Sequence, residues 1–358
     1  MISETITYLF IRLSAILLLT HCGSTSWAQT SREAAASGYI DRGNQWMAKG
    51  EWERAAADFE LAIAFKASAI AYYNRGLARQ RKGDLAGALS DYDRAIELNP
   101  RYAKAYLNRG VVRHKRGQDD AAISDFNRAI EINPRDSRAW NNRGSALTEQ
   151  GNLPTALTDL DQAIKLDSSN VDARSLRCYA HYFQGATDAA ITDCNEALNL
   201  NPSYASAWNN RGLARQGKGD LEGALVDFDR AIALAPKEAA FYAHRGGTWL
   251  LKGETERALS DLNHAIELDP KVAEAWSHRG VVWFAKQDLA RAIADFDEAL
   301  RLKPRLADAY CSRGVAFLMQ SKLAEAETDF TRCRSLGGML KPEAEHLWRK
   351  MRQRRALK

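Results

Sequence analysis

Arginine and aspartate recur at one fixed spacing along most of this chain of 358 residues. Nine arginines are each followed, sixteen positions later, by an aspartate. These are Arg42 and Asp58, Arg75 and Asp91, Arg109 and Asp125, Arg143 and Asp159, Arg177 and Asp193, Arg211 and Asp227, Arg245 and Asp261, Arg279 and Asp295, and Arg313 and Asp329. A guanidinium can hold a carboxylate or a phosphate through two hydrogen bonds. The arginines therefore either bind a peptide or phosphate ligand, or form nine internal ion pairs. Because the two counts match, we predict a structural ion-pair ladder.

Other reactive residue types form no catalytic or metal-binding pattern. The seven histidines are scattered, and the chain contains no P-loop, no G-x-S-x-G and no H-E-x-x-H segment. His244 and His278 are 34 residues apart and are expected on two stacked helices, too far apart for both to ligate one metal ion. We therefore predict a protein that is not an enzyme, with no catalytic residues, no cofactor and no metal site.

Four cysteines follow Cys22. Cys178 and Cys194 stand at two positions that face each other between paired helices, which predicts either a disulfide or two buried free thiols. Cys311 and Cys333 occupy positions on different stripes of their helices, and we do not expect them to meet.

A period of 34 residues organises these side chains. After a first segment at 36–68, eight uninterrupted repeats follow: 69–102, 103–136, 137–170, 171–204, 205–238, 239–272, 273–306 and 307–340. Position 4 is aromatic in eight repeats, position 8 is Gly in eight, position 20 is Ala in all nine, and position 32 is Pro in six. Positions 4, 8 and 11 share one face of a first helix, and positions 20, 24 and 27 share one face of a second. Gly at position 15 suits the left-handed residue that ends a helix.

This pattern of Trp or Tyr, Gly, Ala, Phe, Ala and Pro at period 34 resembles the tetratricopeptide repeat (TPR). The resemblance covers residues 36–340 and implies an all-α, right-handed superhelical solenoid of nine helix-turn-helix repeats, with helix A of each repeat lining a concave groove. Residues 341–358 fit a basic capping helix with Leu347, Trp348 and Met351 on one side. The ladder departs from the family pattern, which usually has Leu at position 7. Whether each aspartate meets the arginine of its own repeat or of the next stays open.

The resemblance also implies that positions 2, 5, 6, 9, 12 and 13 of helix A line the groove, and Cys311 stands at position 5. Position 6 is similar to the asparagine row with which some TPR superhelices hold a peptide backbone, although these side chains could equally cap a helix locally or bond a neighbouring helix. They are Asn74, Asn108, Asn142, Asn210, His244 and His278. Further groove residues are basic in the first half (Arg81, Lys104, His114, Lys115, Arg138) and apolar in the second (Tyr179, Tyr182, Phe183, Leu250, Leu251, Val281, Phe284, Val315, Leu318, Met319). We expect part of the apolar set to pack between repeats instead of binding a partner. A partner segment with acidic residues at one end and apolar anchors at the other would fit.

The N-terminal residues indicate the cellular location of the protein, and the C-terminal residues carry its net charge. The apolar run 8–19 is too short to span a bilayer and contains Arg12, and small residues precede a cleavage point at Gln29. We predict a signal peptide at 1–28, a short linker at 29–35, no transmembrane segment in the mature chain, and a periplasmic or extracellular protein. In an alternative, Cys22 is acylated in a lipoprotein signal. The net charge of +5 comes from the last 18 residues, which argues against nucleic-acid binding.

Together these features predict a non-enzymatic scaffold that binds a peptide segment or a protein partner in the groove of its repeats. The alternative function is an envelope-anchored lipoprotein assembly factor, attached through Cys22. The partner and the oligomeric state are not determined by the sequence.

Overall fold

A computed structural model describes residues 25–340 and 342–356, and this part of the chain is built from helices without a strand. The chain divides into two compact units, Met1–Asn152 and Leu153–Lys358. In both units, successive helices pack as antiparallel pairs, which are the first helix (A) and the second helix (B) of each repeat. The all-α repeat architecture expected from the sequence is confirmed.

The first unit contains helix A of repeats 1–4 and helix B of repeats 1–3. Its helices are α1 (Thr25–Ala48), α2 (Trp52–Phe65), α3 (Ala69–Lys82), α4 (Leu85–Leu98), α5 (Ala103–Lys115), α6 (Asp119–Ile132) and α7 (Ser137–Glu149).

The second unit begins with helix B of repeat 4 and continues through repeats 5–9. Its helices are α8 (Leu153–Leu166), α9 (Val171–Phe183), α10 (Thr187–Leu200), α11 (Ala205–Lys218), α12 (Leu221–Leu234), α13 (Ala239–Leu251), α14 (Thr255–Leu268), α15 (Ala273–Ala285), α16 (Leu289–Leu302), α17 (Ala307–Met319), α18 (Leu323–Ser335) and α19 (Pro342–Ala356).

A glycine–ring contact holds helices A and B together within a repeat. A Cβ placed on Gly110 would lie 2.6 Å from the ring of Phe126, and one placed on Gly212 would lie 2.7 Å from the ring of Phe228. Only glycine at position 8 lets the ring at position 24 come this close. These rings are fully buried, so each repeat gains a large apolar contact at its centre.

One prediction about the N-terminal end of the chain changes. Residues 29–35 were predicted to be a linker, but they belong to helix α1, which begins at Thr25. The first helix thus continues through residues 25–35, where no Gly or Pro interrupts it. Most of the predicted signal peptide, residues 1–24 including Cys22, lies outside the described residues. Among those described, none of the helices combines the length and hydropathy of a bilayer span.

The last helix covers the end of the second unit. Trp348 of α19 is buried and packs edge-to-face on Phe330, with 5.2 Å between ring centroids. Leu347 was predicted to share this apolar side, but it is 40% exposed. Met351 lies in α19, and its side chain is outside the described part. The contact between Trp348 and Phe330 supports the predicted capping role of α19.

Candidate partner-binding face and its supporting ladder

Among the residues that the structure describes, eight of the nine ladder aspartates bind the arginine of their own repeat. In repeat 6, Arg211 donates from Nη2 to Asp227 Oδ1 at 2.7 Å and from Nε to Asp227 Oδ2 at 2.9 Å. The same two-point contact joins Arg42 to Asp58, Arg75 to Asp91, Arg109 to Asp125, Arg177 to Asp193, Arg245 to Asp261, Arg279 to Asp295 and Arg313 to Asp329. Arg143 and Asp159 belong to different units, and for these two residues the pairing stays a prediction.

The ladder arginines also reach the preceding repeat, a contact that the sequence analysis missed. From Nη1, Arg245 donates to Asp229 at 2.6 Å and Arg211 donates to Asn195 at 2.7 Å. The acceptor always stands at position 25 of the preceding repeat and alternates in type: Asp93, Asn127, Asp161, Asn195, Asp229, Asn263 and Asp297. Each of these arginines therefore joins two neighbouring repeats as well as the two helices of one repeat.

The surroundings of the arginines favour this structural role over ligand binding. Burial alone would lower the pKa of Arg177, but hydrogen bonds to Asp193 and Asp161 outweigh it and raise that pKa. The guanidinium of Arg211 lies 4.5 Å from the centroid of the Trp208 ring, within the range of a cation–π contact. Because the ladder aspartates are almost fully buried, an aspartate without its arginine would be costly.

The position-6 side chains bond mainly to the neighbouring A helix. Asn210 donates to the Ser175 carbonyl at 3.0 Å and to Ser175 Oγ at 3.1 Å, and Asn108 donates to the Tyr73 hydroxyl at 2.9 Å. Asn74 likewise donates to Asn44 Oδ1 at 3.1 Å. Asn142 is half-buried on the same face. Of the roles considered for these asparagines, the structure shows the helix-to-helix bond for these three.

The two histidines of position 6 make the same kind of contact in the second unit. His244 Nδ1 lies 2.8 Å from Asn209 Oδ1, and His278 Nδ1 lies 3.4 Å from the Ala243 carbonyl. Burial, and to a lesser degree the neighbouring His278, lowers the pKa of His244 to about 4. Burial also lowers the pKa of His278, against the effect of its bond to Ala243. Both imidazoles are therefore neutral at pH 7.

We call the side formed by positions 2, 5, 6, 9, 12 and 13 of the A helices the helix-A face. In the first unit this face is polar and carries cations. Arg81, Lys104 and Lys115 are exposed on it. Arg138 is exposed too, but it is held to Asp136 by two hydrogen bonds of 2.8 and 2.7 Å. The predicted basic residues thus lie on one face of the first unit.

A histidine–carboxylate group also lies on this face. His114 Nδ1 is 2.7 Å from Asp119 Oδ1, and His114 Nε2 is 3.6 Å from Glu149 Oε1. A ligand atom from each of the three residues falls within 4.8 Å of the others. Because the two ring nitrogens point to different carboxylates, this arrangement links repeats 3 and 4 rather than directing three donors to one ion.

In the second unit, positions 9, 12 and 13 of the helix-A face are mainly apolar. Position 13 of repeats 5, 7 and 9 is Phe183, Leu251 and Met319, which are 56%, 61% and 52% exposed. Phe183 contacts the rings of Tyr179 and Tyr182, with centroids 4.6 and 5.2 Å away. Phe284 is half-buried beside the same row. Phe183, Leu251 and Met319 are therefore accessible on this face, whereas Leu250, Val281, Phe284 and Val315 pack partly against the core.

Leu318 is the exception among the predicted groove residues. It is buried in a cluster with Phe330 and Trp348. The capping helix α19 and helix α18 cover it at the end of the unit, so this leucine serves packing instead of binding.

Both cysteine pairs of the second unit are disulfides. Cys178 of α9 and Cys194 of α10 are joined, with 5.5 Å between their Cα atoms. The expectation that Cys311 and Cys333 would not meet is wrong: they are joined as well, with Cα atoms 5.3 Å apart. Position 5 of helix A was assigned to the groove, but Cys311 is buried and turned toward helix B of its own repeat.

Comparison with known families shows similarity along most of the chain. A family model described as tetratricopeptide repeat matches residues 40–96, 73–137, 250–307 and 291–332. A TPR repeat model matches residues 144–185 and 179–219, and further tetratricopeptide repeat models match 126–158 and 205–238. No curated protein sequence matched the chain.

Solved structures with a similar fold share little sequence with the chain. A tetratricopeptide repeat protein from Parabacteroides merdae ATCC 43184 is 19% identical, with a TM-score of 0.58, over 69% of this chain and 97% of that one. The Cut9–Hcn1 hetero-tetramer of APC/C is 17% identical, with a TM-score of 0.59, over 86% and 59%. Pseudomonas aeruginosa pilF is 17% identical, with a TM-score of 0.51, over 57% and 94%. At these identities the likeness concerns the fold alone.

Proposed function

Because the chain belongs to the tetratricopeptide repeat family, we propose that it is a non-enzymatic scaffold that binds a peptide segment or protein partner on its helix-A face. The observation that carries the proposal is the row of Phe183, Leu251 and Met319, which expose more than half of their surface at one position of three repeats. Large apolar side chains that recur on one face of a folded protein are typical of interaction sites.

The location that we propose is outside the cytoplasm, as an exported periplasmic or extracellular protein. Two disulfides in the second unit support an oxidising compartment, as do the signal-peptide features of the sequence. The envelope-anchored assembly factor differs from the exported scaffold in the mature N-terminus. Mass spectrometry of the mature protein would give Gln29 in the first case and an acylated Cys22 in the second.

Affinity capture from an envelope extract tests the scaffold function. Leu251→Ser and Phe284→Ser change the helix-A face, whereas Val226→Ser changes a residue on a B helix that is as exposed (64%) as Leu251 (61%). We expect a specific partner to be captured by the wild type and by Val226→Ser, and to be lost with the two face variants. Capture that is unchanged by Leu251→Ser and Phe284→Ser would refute binding on this face.

A further inference from the structure

The middle of the helix-A face in the second unit is without charge over five repeats. Positions 9, 12 and 13 of repeats 5–9 run from Tyr179 to Met319, and apart from Gln216 these fifteen residues are apolar, aromatic or glycine. The two position-6 imidazoles beside them, His244 and His278, are neutral at pH 7. In the first unit the same position 13 carries Arg81, Lys115 and Glu149. The second unit therefore offers an apolar floor that the first unit lacks.

One edge of this floor is acidic. Position 2 of repeats 5, 8 and 9 is Asp172, Glu274 and Asp308, and position 2 of repeats 6 and 7 is Ser206 and Ala240. Glu274 is bonded to Lys303 at 2.7 Å, while Asp172 and Asp308 are exposed. Within the described part of the chain, no ion pair joins Asp172 or Asp308 to a cation, so two carboxylates at position 2 stay unbalanced.

The opposite edge is neutralised by ion pairs. Position 14 is Lys218, Lys252 and Lys286 in repeats 6–8. Each lysine binds a carboxylate of the preceding repeat: Lys218 binds Asp188 at 2.6 Å, Lys286 binds Glu256 at 2.5 Å, and Lys252 binds Glu222. A ligand lying on the floor therefore meets unbalanced charge on the position-2 edge, and that charge is negative.

We propose that this face takes a segment with one apolar side and cationic side chains along the edge that faces Asp172 and Asp308. The inference rests on the proposed function and specifies the partner for the second unit. Apolar residues of the segment cover Phe183, Leu251 and Met319, which supplies most of the free energy of binding. Lysine or arginine on the segment meets the exposed carboxylates, which selects against acidic segments and makes binding sensitive to salt.

Two labelled synthetic peptides test the charge preference against the full-length mature protein by fluorescence anisotropy. The two peptides have the same leucines on one side of the helix. The residues along the edge of that side are lysine in one peptide and glutamate in the other. We expect the lysine peptide to bind more tightly by about tenfold or more at low salt, and less so at high salt. The double variant Asp172→Asn/Asp308→Asn should reduce that preference to about threefold or less. It should do so by weakening the lysine peptide, without weakening the glutamate peptide.

Apolar variants separate this inference from the proposed function. Leu251→Ser should weaken both peptides, and Val226→Ser should weaken neither. Equal binding of the two peptides, or tighter binding of the glutamate peptide, overturns the cationic segment; the face remains a binding site if Leu251→Ser still weakens both. If neither peptide binds, the inference is overturned, and the capture experiment alone decides the proposed function. Self-association that Leu251→Ser abolishes in sedimentation would make a second copy the occupant and would overturn the inference too.

Discussion

Repeats 5 and 6 are neighbours in the same unit, yet they join their two helices in different ways. In repeat 6, Gly212 admits the ring of Phe228. In repeat 5, Cys178 takes the place of the glycine and bonds covalently to Cys194, which takes the place of the ring. The ladder is shared, since Arg211 and Arg177 both bind the aspartate of their own repeat. The slot between helices A and B must be filled, but two kinds of chemistry fill it.

The surroundings of the two arginines differ as well. Arg211 lies over Trp208 and has Asn195 as its acceptor in the preceding repeat. In repeat 5 the aromatic residue of position 4 is replaced by Arg174, which binds Glu196, and Arg177 has Asp161 as its second acceptor. Repeat 5 therefore joins its two helices with a covalent bond where repeat 6 uses ring packing.

The largest expected effect comes from removing a ladder aspartate. Asp227→Ala removes the buried carboxylate that Arg211 and Arg215 share and should lower the free energy of unfolding by about 3–5 kcal/mol. Asp193→Ala should cost less, because Arg177 keeps Asp161 as a partner. Urea unfolding followed by circular dichroism measures both. Asp229→Asn, at an exposed acceptor, serves as the control and should change stability by less than about 1 kcal/mol. An equal or larger cost for Asp193→Ala would contradict the contrast between the two arginines.

The disulfide of repeat 5 is the next largest effect. In a Cys311→Ala/Cys333→Ala background, reduction should lower the free energy of unfolding by about 3 kcal/mol, because the bond closes a short loop of the unfolded chain. Cys178→Gly with Cys194→Phe rebuilds the contact of repeat 6 and should make stability independent of the reductant. Urea unfolding with and without dithiothreitol measures both proteins. A glycine–phenylalanine variant that is less stable than the reduced parent would show that repeat 5 cannot accept the ring.

The links between neighbouring A helices differ in their response to pH. Repeats 5 and 6 are joined by Asn210 and Ser175, whereas repeats 6 and 7 are joined by His244 and Asn209. The pKa of His244 is about 4 in the folded chain, below the ordinary value of about 6.5, so the unfolded chain takes up a proton first as the pH falls. Stability is retained above pH 6.5 and should decrease by about 2 kcal/mol between pH 7 and pH 5.

The matched variant for this pH effect is His244→Asn, which copies the residue that repeat 6 has at the same position. Urea unfolding at pH 7 and pH 5 should give a smaller decrease for the variant than for the wild type. If the two proteins lose the same stability, His244 is not the group that titrates.

The smallest expected effect concerns a feature that the two repeats share. Gly185 and Gly219 end the A helices of repeats 5 and 6 with φ of 82° and 87°, and a Cβ on either would meet no neighbour within 4 Å. Gly185→Ala and Gly219→Ala should therefore each cost about 1 kcal/mol, from backbone strain alone. Thermal unfolding of both variants measures this. Clearly unequal losses would mean that the two turns are not equivalent despite their matching geometry.

Much of the fold could be predicted because each repeat restates the same local rules. The left-handed glycines were predicted from position 15, and the structure confirms them. Gln287 and Ser321 replace glycine at that position and still adopt a positive φ of 62° and 63°. The close contact of Gly110 with Phe126 likewise follows from small and aromatic residues on facing stripes. Such features depend on a few neighbouring residues of the chain.

What could not be predicted depends on the relative placement of helices. The sequence alone left open which repeat an aspartate serves, and it gave no reason to single out Asn195 or Asp229, because exposed Asn and Asp are common on helix surfaces. The bond between Cys311 and Cys333 was missed because position 5 was assigned wholly to the groove. Buried hydrogen bonds such as Asn210 to Ser175 require the spacing of adjacent helices, which no local pattern specifies.

The Asp and Asn acceptors at position 25 alternate from one repeat to the next, and this determines how many repeats can be removed without changing an acceptor type. Deletion of repeat 6 alone (205–238) would place Arg245 after Asn195 instead of Asp229, so one arginine would exchange a carboxylate for an amide. Deletion of repeats 6 and 7 together (205–272) would place Arg279 after Asn195, the same residue type as its present acceptor, Asn263. The natural module for building longer or shorter versions of this scaffold is therefore a pair of repeats.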